Sequence, residues 1–306
     1  MSGLNMLIAV DKPQGMTSHD VVNRARRALG ERRVGHAGTL DPAATGVLLL
    51  GVGQGTRLMG HLTADQKSYI ATIEFGTQTT TDDAEGEVVR QMPAGEELAR
   101  EEYARELLTG LRGEQMQVPP AYSAISVDGR RAYARARAGE AVDLPARAIT
   151  VYDADLLSIQ VDDATVRWDC AFRVSKGTYV RALARDIGLE AQNAAHLCQL
   201  RRTASGPITL RDCISLDVLE ELGGQDATQA ALDPVRALGL PVRPLAAKEL
   251  RRVKSGTPIM LGDMDACNGA SVCMVAEDKL WGIWRRSGNR LSPHVNFPQG
   301  ICGVRA

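Results

Sequence analysis

The run Gly35-His36-Ala37-Gly38-Thr39-Leu40-Asp41-Pro42-Ala43-Ala44-Thr45-Gly46 sets one carboxylate among small residues. Small residues let the backbone approach a ligand closely, and Pro42 restricts the chain after Asp41. One reading is a nucleophile or base presented in a cleft. The other is a tight Asp-Pro turn joining helix to strand, and spacing alone leaves both open. A second group is Ser175-Lys176-Gly177-Thr178-Tyr179-Val180-Arg181, with two cations, an aromatic and a glycine in a strand-to-helix loop. Arg181 falls in the first helical turn, where the dipole disfavours a cation. That cost fits an arginine held by a fixed carboxylate, and a solvated surface arginine fits as well. Gly51, Gly53 and Gly55 match neither the P-loop nor the dinucleotide spacing, so a structural turn is expected there. The six cysteines contain no CxxC pair and the five histidines no HxxxH, so neither a metal site nor a disulfide framework is expected.

The elements that must position these groups follow from periodicity. Residues 7–10 form an apolar strand ending in a Pro/Gly turn. Thr17 and Asp20 match a capping box, and Val21, Val22, Ala25, Ala28 and Leu29 give a helical stripe closed by Gly30. A buried strand is expected over 47–52. Over 67–75 the alternation puts Tyr69, Ala71, Ile73 and Phe75 on one strand face. Helices are expected over 96–110 and 179–193, paired strands over 151–160 and 165–174, and a strand over 197–204. Beyond Pro241, short apolar segments separated by turns suggest a small all-β domain.

The 306 residues suggest two domains, and 44% hydrophobic with 24% charged residues reads as an ordinary globular chain. A net charge of -1 excludes a uniformly basic coat, so any polyanion site must be local. Thirty of the 36 basic residues are arginine, suited to phosphates. Residues 82–106 carry nine acids against three arginines and should face away from a polyanion. Arg130, Arg131, Arg135 and Arg137 cluster around Tyr133, and Arg24, Arg27, Arg130, Arg131, Arg201 and Arg202 are expected to build a basic face. Residues 1–10 lack a basic n-region, and no apolar run is long enough to span a membrane, so a cytoplasmic protein is expected.

Four segments in order, from Lys12 to Ser18, Gly35 to Gly46, Lys67 to Tyr69 and Ser175 to Arg181, closely resemble the TruB family of bacterial tRNA pseudouridine synthases. The resemblance runs from about Leu7 to about Arg202, and the second segment is its most specific part. It implies an α+β fold: a pseudouridine-synthase-like mixed sheet flanked by helices, with an RNA-binding insertion and a small C-terminal PUA-like β-barrel. The implied domains are 1–241, catalytic, with the insertion at about 112–144, and 243–306, PUA-like and RNA-binding. The implied activity is isomerisation of the uridine at position 55 in the T loop of tRNA. By resemblance Asp41 is the catalytic aspartate. His36 fills the gap left by flipped nucleotides, Tyr69 stacks on the target base, and Tyr179 and Leu200 line the same pocket. Arg181 holds the aspartate ionised, and Lys12 and Gly15 support the active-site loop. Arg130, Arg131, Arg135 and Arg137 are RNA-binding candidates. No cofactor and no metal are implied; the partner is the tRNA T stem-loop, with no protein partner required and a monomer expected. A noncatalytic tRNA-binding or tRNA-folding protein is the alternative reading.

Overall fold

The computed structural model describes residues 3–62, 66–123, 126–127, 130–131, 144–162, 165–262, 264 and 266–305. The chain divides into two compact units, one of residues 1–64 and 204–306, the other of residues 65–203.

In the first unit the strand Met6–Lys12 pairs antiparallel with Thr45–Val52 and parallel with Cys213–Ile214, while Val34–Ala37 pairs antiparallel with Thr45–Val52. This mixed sheet is covered on both faces, which explains its unbroken apolar runs. Met6, Ile8, Val10, Leu48, Leu50 and Val52 meet the helices Ser18–Leu29 and Leu216–Leu222 through Val21, Val22, Ala25, Leu216 and Leu219. Leu7, Ala9, Val47 and Leu49 instead meet Cys273, Leu280, Ile283, Phe297 and Ile301. The helix Ser18–Leu29 begins with the expected capping box of Thr17 and Asp20, and Gly30 ends it at φ 61° in the left-handed region.

The C-terminal part of this unit is a curled five-stranded sheet. Its order is Val242–Pro244, Ser271–Ala276, Lys279–Ser287, Arg290–Cys302, Ile259–Met260. Register shifts at Met274/Val275 and Leu280/Gly282 bend it. It is not all-β: the helix Ala247–Lys254 packs Leu250 and Val253 against Val272, Met274, Trp281 and Trp284. Three apolar residues in eight, with Ala247 exposed, make too short a stripe for periodicity to reveal that helix.

In the second unit the strand order is Ala195–Ser205, Gln66–Phe75, Thr165–Ser175, Arg147–Asp162, Gly113–Gln117, with the last residues of Ala195–Ser205 falling in the first unit. Tyr69, Ala71, Ile73 and Phe75 are buried as the alternation required, while Ile70 on the other face is 41% exposed. Phe75 and Trp168 pack with ring centroids 4.5 Å apart, and the Trp168 indole N–H donates to the Leu98 carbonyl at 2.7 Å. The helix Glu101–Gly110 packs on Arg147–Asp162. Residues 96–99 form a separate 3-10 turn before that helix rather than its first turn.

Candidate active site

Of the residues singled out in the sequence, His36 and Asp41 belong to the first unit, and Tyr69, Tyr179, Arg181 and Leu200 to the second. Arg135 and Arg137 lie outside the described residues, and of Arg130 and Arg131 only the backbone is described, as a two-residue strand paired with Ser126–Val127.

Asp41 stands in the connection between Val34–Ala37 and Thr45–Val52, with His36 opposite Leu50 on the first of these strands. The main chain on both sides of Asp41 is tied to the turn after Met6–Lys12. Before it, the Ser18 hydroxyl accepts from the Leu40 amide at 2.9 Å and donates to the Leu40 carbonyl at 3.0 Å. After it, the Pro42 carbonyl accepts from the Gly15 amide at 2.9 Å and from Lys12 Nζ at 3.2 Å. Gly15 reaches that carbonyl with φ 82°, which favours glycine. Lys12 is fully buried and also donates to the Pro13 and Met16 carbonyls at 2.9 and 2.6 Å. Carbonyl dipoles thus take the place of water around a buried ammonium. The Asp41 carbonyl accepts from the Ala44 amide at 3.1 Å, closing a turn, and its residue is half-buried. The expected Asp-Pro turn is thus present, with Asp41 half-buried in it.

Lys12→Met keeps the alkyl stem and removes the donors. Leaving buried carbonyls unsatisfied costs about 1–3 kcal/mol, so this variant is expected to unfold at lower denaturant by that amount. Its activity should fall further than the stability loss alone explains, because the loop carrying Asp41 loosens. Equilibrium denaturation alongside turnover at a temperature where the variant is folded checks both.

In the second unit the strand-to-helix loop is anchored by Gln117, which is buried. Its side-chain amide donates to the Tyr179 carbonyl at 3.1 Å and its carbonyl accepts from the Tyr179 amide at 2.9 Å. Tyr179 is the residue before the helix Val180–Glu190, so this pair of bonds fixes where the helix starts. Arg181 lies in the first turn and is buried. Its guanidinium donates to the Thr81 carbonyl at 2.9 Å and the Tyr122 carbonyl at 3.0 Å, and Nη1 lies 3.5 Å from an Asp83 carboxylate oxygen. One turn on, Arg185 pairs with Asp82 at 2.9 Å and with Asp186 at 2.8 Å. Burial pushes the Asp82 carboxyl up, against the pull of Arg185 and Arg181. Asp82 also adopts φ 59°, held there while its carbonyl accepts from the Leu197 amide at 3.0 Å.

Asp82 and Asp83 are the functional candidates the sequence analysis passed over. They begin the acidic run expected to face away from a polyanion, yet they turn inward and engage two arginines of one helix. The four-residue spacing of Arg181 and Arg185 was the available signal, since it puts both on one helix face.

Tyr69 is 7% exposed on its strand, opposite Phe172. Two residues before it, Lys67 is held down at about 8 by burial and then by the Arg202 charge. Leu200 is half-buried. The expected basic face loses two members. Arg24 is bound by Glu220 at 2.6 Å and Asp217 at 3.1 Å, and Arg202 is fully buried. Arg27 is exposed, as expected. The glycines at 53 and 55 are structural: a Cβ at either would collide with the Leu4 or Met6 carbonyl. No helix among the described residues is long and apolar enough to cross a membrane.

Two solved structures share this fold at a TM-score of 0.68. One is described as an H/ACA RNP bound to a substrate RNA containing 2'-deoxyuridine (22% identity, 95% of this chain and 84% of that one). The other is an archaeal box H/ACA sRNP Nop10-Cbf5 complex (22% identity, 96% and 86%). The chain shares their α+β fold: a mixed sheet flanked by helices, with a PUA-like curled C-terminal sheet. Residues 26–180 match the family model of TruB family pseudouridylate synthase (N terminal domain), and residues 181–243 that of the tRNA pseudouridylate synthase B C-terminal domain. Relatives called tRNA pseudouridine synthase B include one from Corynebacterium diphtheriae, 44% identical over 89% of this chain and 92% of its own length. Another, from Thermobifida fusca, is 48% identical over 82% and 85%. The chain belongs to the TruB family of pseudouridylate synthases, and its class is an isomerase, a tRNA pseudouridine synthase.

Proposed function

We propose that this enzyme isomerises the uridine at position 55 in the T loop of tRNA, with the Asp41 carboxylate reacting on a flipped-out base. The observation that supports this most is the bracing of Asp41, whose main chain is held on both sides while its residue stays half-buried instead of sealed in the core.

A base inside a folded loop must leave the stack before an enzyme can work on its ring. The C1′–N1 bond then breaks, the uracil turns, C5 bonds to C1′, the C5 proton leaves and N1 gains a proton. Nothing is oxidised and no phosphoryl group moves, so protein, RNA and water close the balance. The carboxylate acts by adding to C1′ or by removing the C2′ proton to give a glycal; both routes require it ionised. Arg181 supports the aspartate. Tyr69 stacks on the base, Tyr179 and Leu200 hold the uracil while it turns, and His36 fills the space the flipped nucleotides leave.

Residues 1–241 are read as the catalytic domain and 243–306 as a PUA-like RNA-binding domain. Arg130, Arg131, Arg135 and Arg137 of the insertion at about 112–144 grip phosphates. The enzyme works as a cytoplasmic monomer with no protein partner.

An isolated T stem-loop RNA carrying tritium at uracil C5 tests this reading, because C5 loses its hydrogen when it bonds to C1′. Tritium release with pseudouridine at position 55 is expected; release of free uracil, or no reaction on any T loop, would reject it. Tyr69 gives a second check. Base–aromatic stacking is worth roughly 1–3 kcal/mol, so Tyr69→Ala should lose at least about fivefold in turnover. Tyr69→Phe keeps the ring and should retain base positioning. Equal rates for wild type and Tyr69→Ala on the same RNA would remove Tyr69 from the site.

A further inference from the structure

Glu74, His196 and Cys198 converge in the second unit, on neighbouring strands. Glu74 lies at the end of Gln66–Phe75, and His196 and Cys198 are alternate residues of Ala195–Ser205, so their side chains leave the same face. Cys198 Sγ is 3.5 Å from a Glu74 carboxylate oxygen and 3.6 Å from His196 Nε2. The three donor atoms all lie within 4.8 Å of one another. His196 Nδ1 is 2.9 Å from the Thr77 carbonyl, an acceptor, so Nδ1 carries the proton and Nε2 turns its lone pair to the cluster. An imidazole oriented through its other nitrogen by a backbone carbonyl is the usual outer support of a metal-ligating histidine. His196 is 6% exposed and Cys198 and Glu74 are half-buried, so the cluster is ordered by the fold and still reachable.

The spacing matches one class of ion. Zinc binds thiolate sulfur at about 2.3 Å and nitrogen or oxygen at about 2.0–2.2 Å in tetrahedral geometry. Those lengths put sulfur about 3.5 Å from each of the other two donors, close to both separations found here. We propose that Glu74, His196 and Cys198 form a binding site for a thiophilic divalent cation of the zinc type, with water in the fourth position. Sulfur and imidazole donors select against calcium and magnesium, which want oxygen. One thiolate and one carboxylate neutralise the ion; the thiol proton passes to the buffer as the sulfur–metal bond forms. Arg167 competes by holding Glu74 at 2.7 Å, and it has a second carboxylate, Asp162, at 3.1 Å to fall back on. The ion would tie two strands together and takes no part in the isomerisation. No CxxC or HxxxH spacing announces such a site, because its third ligand comes from a strand over a hundred residues away.

The test uses the full chain after chelator treatment. Titration with Co2+ should give a thiolate-to-cobalt charge-transfer band and tetrahedral d–d absorption at one equivalent, both displaced by Zn2+ and both lost in Cys198→Ser. In the wild type, Zn2+ at about ten times its Kd should slow alkylation of Cys198 roughly tenfold. Exposed Cys267, read by peptide mapping of the same sample, should keep its rate. No charge-transfer band, a band that survives in Cys198→Ser, or Cys198 alkylation indifferent to Zn2+ would each overturn the site. The alkylation arm needs no variant and stands even if Cys198→Ser fails to fold. Pseudouridine formation by chelated protein is expected to persist, so this outcome is independent of the Asp41 assignment.

Discussion

Asp41→Asn is expected to abolish pseudouridine formation, by roughly four orders of magnitude or more, while tRNA affinity stays within a few-fold. An amide is neither a nucleophile for C1′ nor a base for C2′, so either chemical route stops. The fold should tolerate the change because the bonds described from Lys12, Gly15 and Ser18 go to the main chain at Leu40 and Pro42. Single-turnover assays on a T-loop substrate, with filter binding on the same preparation, measure both quantities. Full loss of binding along with activity would mean that Asp41 is structural. Unchanged turnover would mean that the reacting group is elsewhere. Retained tRNA binding and folding by the inactive variant would also show how much of the protein's work is independent of catalysis.

Arg181→Met is expected to be the second most damaging change, and for two reasons. The first is stability. Removing one partner of a buried ion pair costs about 3–5 kcal/mol, because the other charge stays buried. Here the Asp83 carboxylate and the Thr81 and Tyr122 carbonyls lose their guanidinium together. The second is chemistry, through the proposed support of the Asp41 carboxylate. Arg181→Lys separates the two: it keeps the charge and loses the planar fork that reaches several acceptors at once. It should fold better than Arg181→Met and still turn over far more slowly than wild type. If the arginine serves the chemistry as well as the fold, Arg181→Lys should lose kcat at a temperature where it is fully folded. A variant that is merely less stable would keep its kcat under those conditions.

Local order along the chain was enough to find most of the elements. The alternation from Tyr69 to Phe75 named the buried face of its strand, and the Thr17–Asp20 capping box and Gly30 bounded the first helix. The apolar runs at 7–10 and 47–52 fitted a sheet covered on both sides. What escaped depends on partners far along the chain. Asp82 and Asp83 read as the start of a solvated acidic run until Arg181 and Arg185 are brought to them from a hundred residues away. Gln117 has no sequence signal at all, yet it fixes the start of the helix that carries Arg181. Arg24 and Arg202 look like surface cations in one dimension; one is taken by Glu220 and Asp217 and the other is buried. The residue types of the Asp41 segment fitted a tight turn and a presented carboxylate equally, and the role of Lys12 in holding it required the positions of three carbonyl groups.

The most direct test is to incubate the purified wild-type protein with an unmodified tRNA transcript and map pseudouridine at single-nucleotide resolution. The account predicts one modified site, the uridine at position 55, formed by wild type and absent with Asp41→Asn. Modification at other uridines with position 55 untouched, or the same map from both proteins, would contradict it.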